Sequence, residues 1–284
     1  MKISVTMLST YLYCPRLLFL QKILQVEEPP KEALVLGSIR HESFDRINKN
    51  EEDLVNTIKN KDLSYLNQIY KQHYSKYLRE IIIKNKKRLR EVNVNLTEAF
   101  KINWNNLREE AESRALNIFN FIEKNNIYGS ELWENLIPKI KSEFKVESNT
   151  LQLKGIIDQV HVYEDQFVPI ELKTGKSPKE GMWPGHRIQI GAYALLLEEM
   201  FNKEIKEGFI YYLDSKEKRN LVINPFLRQE IKDLTKEVQE FINNKNLPNH
   251  CESENKCKAC SLNTTCYSDE ELNKYMKEQQ IEVS

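Results

Sequence analysis

The sequence predicts an α/β protein: a sheet-bearing core, an all-α insertion near its front and a cysteine-rich tail. Three features carry that expectation. Residues 51–137 repeat Leu, Ile, Lys and Glu at helical spacing, with one glycine, Gly129, and no proline. Residues 139–173 change to the two-residue alternation of strands, broken by turn-forming pairs. Four of the five cysteines lie between 251 and 266.

The elements follow in order. Residues 7–23 read as a helix with Cys14 near its middle, and Pro15 predicts a kink or a fresh helix start there. After Pro29-Pro30, residues 37–47 read as a second helix. The stretch 51–137 should hold several helices and no sheet. Three strands are expected over 139–148, 151–163 and 166–173, with turns at Ser148-Asn149 and Glu164-Asp165. A loop holding Gly175, Pro178, Gly181, Pro184 and Gly185 leads to an amphipathic helix over 186–202. Strands at 206–213 and 217–223, a helix over 226–245, the cysteine tail and a short polar helix complete the chain. This divides it into N-terminal helices (1–48), a helical insertion (49–138), a core (139–245) and a cysteine segment (246–284).

Composition narrows the function. The 284 residues are 40% hydrophobic and 30% charged, as in a soluble globular protein of one large domain or two small ones. No apolar run approaches the ~20 residues of a membrane span. The N-terminus has neither the apolar core nor the cleavage site of a signal peptide, so the expected location is cytoplasmic. Forty-two basic residues balance forty-two acidic ones, so no global field attracts nucleic acid. A nucleic-acid enzyme would need a local basic surface. The run Lys84–Arg90, with five basic residues in seven, is one candidate; a solvated helix face explains it equally well. An odd number of cysteines in a cytosolic chain argues against a disulfide framework and for metal or cluster ligation.

The chemistry concentrates at Asp158 and, thirteen residues on, Glu171-Leu172-Lys173. Side chains alternate faces along a strand, so Glu171 and Lys173 point together while Leu172 points into the core. Two carboxylates can hold a hard divalent cation, with an ammonium beside it for the attacking water. Charged residues on an exposed strand give this pattern by chance. Here each acid ends an apolar run, Gly-Ile-Ile-Asp and Val-Pro-Ile-Glu, and Thr174-Gly175 marks a strand exit. His41, in Gly37-x-x-x-His41, would read as an ordinary surface histidine, but a neutral imidazole can complete a carboxylate site. Gln189 and Tyr193 are four apart on one helix face; they serve either packing or the site. Cys257-x-x-Cys260-x5-Cys266 supplies three thiolates, which need a fourth ligand. Cys14 is favoured and Cys251 is its rival. Zinc and an iron–sulfur cluster both suit such ligands.

Taken in order, Cys14-Pro15-Arg16, Gly37-x-x-x-His41, Gly155-Ile-Ile-Asp158, Glu171-Leu172-Lys173, Gln189-x-x-x-Tyr193 and the three tail cysteines resemble the RecB-like nucleases of the PD-(D/E)XK superfamily. More closely, they resemble its iron–sulfur members: the CRISPR-associated "Cas-four" exonucleases, the AddB nuclease domain and the nuclease domain of the eukaryotic Okazaki-fragment helicase-nuclease. No phosphate-binding GxxxxGK[ST] loop is present, which points to the first. The resemblance covers residues 1–48 and 139–267; the stretch between carries none of the motifs.

That resemblance implies a restriction-endonuclease-like core, a central mixed sheet flanked by helices. It implies that His41, Asp158 and Glu171 bind Mg²⁺ or Mn²⁺, with the Leu172 carbonyl as a further ligand. Lys173 would position or activate water, and Gln189 and Tyr193 would support the site and the DNA. Cys14, Cys257, Cys260 and Cys266 would hold a 4Fe–4S cluster, with 2Fe–2S or zinc as alternatives, and Cys251 would be a bystander. The implied activity is a DNA exonuclease on single-stranded ends or overhangs in CRISPR adaptation, beside the spacer integrase. The Tyr-rich N-terminus and Trp183 are candidates for stacking on bases. The rival readings are a recombination or repair nuclease outside CRISPR, and a non-catalytic module that binds DNA ends or a partner.

Overall fold

In the computed structural model, which describes residues 1–281, a six-stranded mixed sheet stands between two helical layers. The chain opens with β1 (Ile3–Ser4), a strand too short for the sequence to announce, and turns into α1 (Val5–Tyr13). The Ser4 hydroxyl caps that helix by accepting the Met7 N–H at 3.3 Å. The helix expected over 7–23 is interrupted at Cys14, which is extended at φ −165°. A residue before proline is pushed out of the helical region. Pro15 then opens α2 (Pro15–Leu18), where its missing N–H is not needed, and a π-helical turn, Phe19–Ile23, follows. Of the two outcomes Pro15 allowed, the fresh start is the one observed.

Next comes α3 (Glu32–Lys49), longer at its front than the expected 37–47. Five helices follow without a strand among them: α4 (Glu51–Asn56), α5 (Leu63–Lys84), α6 (Lys86–Glu91), α7 (Leu96–Asn125) and α8 (Gly129–Asn135). They are a layer of the core and no separate lobe. Tyr70, Tyr74 and Ile118 share one apolar cluster with the sheet residues Val168, Ile170 and Leu172.

The remaining strands are β2 (Lys139–Ser148), β3 (Leu153–Val162), β4 (Phe167–Lys173), β5 (Glu207–Tyr212) and β6 (Glu217–Val222). β2 runs antiparallel along one edge of β3, from Ser148 opposite Leu153 to Lys139 opposite Val162. The other edge is divided. β1 pairs parallel with Leu153 and Lys154, and β4 pairs antiparallel with residues 159–162. Between them, among the described residues, Gly155–Asp158 has no strand on that edge. β4 then pairs parallel with β5, and β5 antiparallel with β6.

The second helical layer is α1, α9 (Pro184–Phe201) and α10 (Pro225–Asn244), whose Ile188, Leu196 and Ile231 pack on Val146, Ile157 and Ile210. The tail forms α11 (Glu254–Ala259), α12 (Asn263–Cys266) and α13 (Asp269–Glu278). It folds back on the beginning of the chain: Phe19, Leu20 and Ile23 bury against Leu262, Leu272 and Met276. Among the described residues no helix is long and apolar enough to cross a membrane.

Candidate active site

The hairpin of β3 and β4 builds the site by its register. Paired residues run from Val162 opposite Phe167 to Gln159 opposite Ile170. In that register the next pair is Asp158 and Glu171, where the ladder stops. The Asp158 carboxylate takes the place of a strand partner, its Oδ2 accepting the Leu172 N–H at 2.7 Å. Register in β2 sets Glu143 opposite Asp158 in turn, between the pairs Ser142–Gln159 and Phe144–Ile157. Three carboxylates thus line up across three neighbouring strands. Leu172 is buried on the insertion side, as expected, so Glu171 and Lys173 face α9.

On that side α9 meets them. Lys173 Nζ donates to Glu171 Oε1 at 2.7 Å and to Gln189 Oε1 at 2.8 Å. The Gln189 amide donates to the same Glu171 oxygen and to the Tyr193 hydroxyl, the latter at 3.1 Å. Gln189 and Tyr193 are both buried, so the face they share points at the site. Gly155 makes this approach feasible: a Cβ there would lie 2.6 Å from Tyr193 Cε1. The glycine of Gly-Ile-Ile-Asp is therefore a seat for the tyrosine ring.

His41 reaches in from α3. Its Nδ1 lies 3.1 Å from Asp158 Oδ1 and 3.5 Å from Glu143 Oε1. Among the described residues, His41, Glu143 and Asp158 are the group of three or more metal-ligating side chains whose ligand atoms lie within 4.8 Å of one another. Burial alone would depress the His41 pKa. Hydrogen bonds to Asp158 and Glu143, and the charges of Asp158 and Glu171, outweigh it and carry it up to about 10. Glu171 is raised to about 7, by burial first and then by the neighbouring Asp158 charge, against the pull of Lys173 and His41. Lys173 is pulled down by burial but raised overall by Glu171 and Asp158, so it stays an ammonium. Glu171 Oε2 is buried and has no hydrogen-bond partner among the described residues. An unpaired buried carboxylate oxygen is costly unless something cationic meets it. The cleft over these groups is also lined by Gly37, Ser38 and Thr174.

The five cysteines converge elsewhere. Cys14, Cys251, Cys257, Cys260 and Cys266 line one cavity with Tyr13, Leu17 and Leu20. Arg16 ties the two chain ends together there, donating from Nε to Cys266 Sγ at 3.3 Å and from its Nη1 to the Pro248 carbonyl at 2.5 Å. The aromatic candidates separate. Tyr11 donates to Glu237 and packs its edge on Phe241, so it is a packing residue. Trp183 is 47% exposed at the start of α9, its indole N–H donating to the Lys176 carbonyl.

The sequence profile described as the PD-(D/E)XK nuclease superfamily matches residues 2–267. The chain belongs to this superfamily. A CRISPR-associated exonuclease Cas4/endonuclease Cas1 fusion from Leptospira interrogans is 30% identical over 153 residues, which is 50% of this chain and 28% of that one. A CRISPR-associated exonuclease Cas4 from Francisella tularensis subsp. novicida is 28% identical over 43% of this chain and 59% of its own. The DNA replication ATP-dependent helicase/nuclease JHS1 of Arabidopsis thaliana is 26% identical over 40% of this chain and 10% of its own. The chain spans less than two thirds of the length of each of these relatives.

Within this PD-(D/E)XK core, sequence reasoning missed Glu143. Its strand, Lys-Ile-Lys-Ser-Glu-Phe-Lys, reads as an ordinary solvated edge. Only counting the register back from the turn after Ser148 would have set it beside Asp158. Its backbone is a second sign: φ is +47° in the middle of a strand, a conformation that non-glycine residues seldom adopt.

Proposed function

We propose that this chain is a metal-dependent DNA exonuclease acting on single-stranded ends or overhangs, in the cytoplasm, in the processing of CRISPR spacer precursors beside a spacer integrase. The observation that carries the reading is the convergence of His41, Glu143 and Asp158 in a cleft that Glu171, with its unpaired buried carboxylate oxygen, and the Lys173 ammonium also line. Neighbouring ligands of an octahedral Mg²⁺ at ~2.1 Å stand about 3.0 Å apart. The 3.1 and 3.5 Å separations around His41 suit that spacing, and the donor set of carboxylates and one imidazole suits Mg²⁺ or Mn²⁺.

His41, Asp158, Glu171 and the Leu172 carbonyl would hold the ion, and Glu143 joins them. When bound, the ion polarises the scissile phosphate and acidifies a water. The residues themselves do the rest. Lys173 uses two of its three protons on Glu171 and Gln189, leaving one for a phosphate oxygen or the attacking water. Gln189 fixes both Glu171 and Lys173, and Tyr193 fixes Gln189. The run Lys84–Arg90 supports a DNA path: Arg88 donates to Ser38 Oγ at 3.1 Å, one turn of α3 from His41, and Lys86, Lys87 and Arg90 are exposed beside it.

For the cysteine cavity the reading is a 4Fe–4S cluster on Cys14, Cys257, Cys260 and Cys266. All five cysteines line one cavity, which offers the four thiolates such a cluster needs. Partnership with an integrase is supported by the relatives named as Cas4/Cas1 fusions. The likeness to a plant helicase/nuclease favours a second reading, the same hydrolysis in replication or repair.

The test is Lys173→Ala on the full chain. Cleavage of single-stranded DNA should be lost while divalent-ion binding and cluster colour persist. Retained cleavage would overturn the catalytic assignment.

A further inference from the structure

The cavity has one thiol more than a four-thiolate cluster can use. Three of the five are held by the tail's own backbone. Cys257 N–H bonds to the Ser253 carbonyl at 3.1 Å, Cys260 N–H to Cys257 at 3.1 Å and Cys266 N–H to Leu262 at 2.8 Å. These three sit on or beside two short helices of one segment. Two cysteines compete for the remaining corner. Cys14 arrives from the N-terminal elbow between α1 and α2. Cys251 arrives from the tail itself, just ahead of α11, and its carbonyl accepts the Cys257 thiol at 3.7 Å.

Both line the same cavity as the three tail cysteines. Both are half-buried, and neither is in a disulfide. We propose that Cys14 and Cys251 are interchangeable ligands for the fourth corner of the cluster, so that the site closes either from the N-terminal elbow or from the tail alone. This rests on the reading that the cavity holds an iron–sulfur cluster.

The two closures differ in what they brace. α1 packs on α9, where Ser9 Oγ donates to the Gly185 carbonyl at 2.8 Å, and α9 carries Gln189 and Tyr193. Closure by Cys14 therefore ties the cluster to the helix that supports the nuclease site. Closure by Cys251 keeps the cluster and frees the elbow. Exchange of one thiolate for the other needs no oxidant or reductant; the incoming thiol loses its proton and the outgoing thiolate gains one.

The experiment is anaerobic reconstitution of the full chain with iron and sulfide, for wild type, Cys14→Ser, Cys251→Ser, the double variant and Cys260→Ser. Visible absorbance and iron per chain are read together with far-UV circular dichroism. Both single variants should keep the cluster; the double variant and Cys260→Ser should lose it. A folded but colourless Cys14→Ser would overturn the interchange, whereas a colourless wild type would overturn the cluster reading itself. Should Cys14→Ser not fold, iodoacetamide on folded wild-type holoprotein gives the same answer by peptide mass. Labelling of one thiol per chain, shared between Cys14 and Cys251, supports the proposal; label confined to Cys251 overturns it.

Discussion

Asp158 does two things with one carboxylate. One oxygen holds the Leu172 N–H where the β3–β4 ladder ends, and the other faces His41. That arrangement explains why Asp158 and Glu171 could be found in the sequence: their spacing is the arithmetic of a hairpin, and each ends an apolar run. Glu143 was hidden because a lone acid in a strand of alternating charges resembles a solvated edge. Glu143→Gln should weaken Mn²⁺ binding by about tenfold, read by calorimetry, with the fold intact. At Gly155, an alanine Cβ would meet the Tyr193 ring at 2.6 Å. Overpacking of this kind should destabilise by about 1–3 kcal/mol, visible as a lower Tm.

The same residues set a pH dependence. With pKa raised to about 10, protonated His41 stabilises the metal-free fold below its ordinary 6.5, and that contribution fades as pH climbs toward 10. Glu171, raised to about 7, binds its proton more tightly folded than unfolded, so its contribution fades between about 4.5 and 7. The Tm of metal-free protein should therefore fall between pH 6 and 10. Mn²⁺ should reverse most of that fall, because it displaces the His41 proton and meets the charged Glu171. A profile unchanged by Mn²⁺ would contradict the site.

At the scale of elements, the β3 edge is left open between β1 and β4, and the opening is where Gly155–Asp158 meets α9 and α3. Periodicity revealed the long helices and the five main strands. It did not reveal β1, because two residues carry no period. It blurred the break at Cys14, because the apolar pattern continues across Pro15 while the backbone does not. The insertion helices gave no sign of covering the sheet, since packing partners distant in sequence leave no local mark. Their basic run gives a prediction of its own. Lys86→Glu with Lys87→Glu should raise KM for single-stranded DNA and leave kcat unchanged. The dependence of log K on log salt should flatten by about 0.7 for each phosphate that the variant no longer neutralises. An unchanged salt slope would return the run to the role of a solvated face.

At the scale of the whole molecule, the chain's two ends close on each other. Phe19, Leu20 and Ile23 bury against the tail, and Arg16 bonds both Cys266 and the Pro248 carbonyl. The tail is thus a staple on a core whose nuclease site it reaches through α1 and α9. Cys260→Ala should bleach the protein and lower its Tm, with nuclease activity falling at temperatures where the variant is still folded. The most direct measurement of the central claim uses end-labelled linear and circular single-stranded DNA, with Mn²⁺ and with EDTA. The account predicts shortening of the linear strand only with the metal, and no cutting of the circle. Cleavage in EDTA, or no cleavage by folded protein loaded with Mn²⁺, would contradict it.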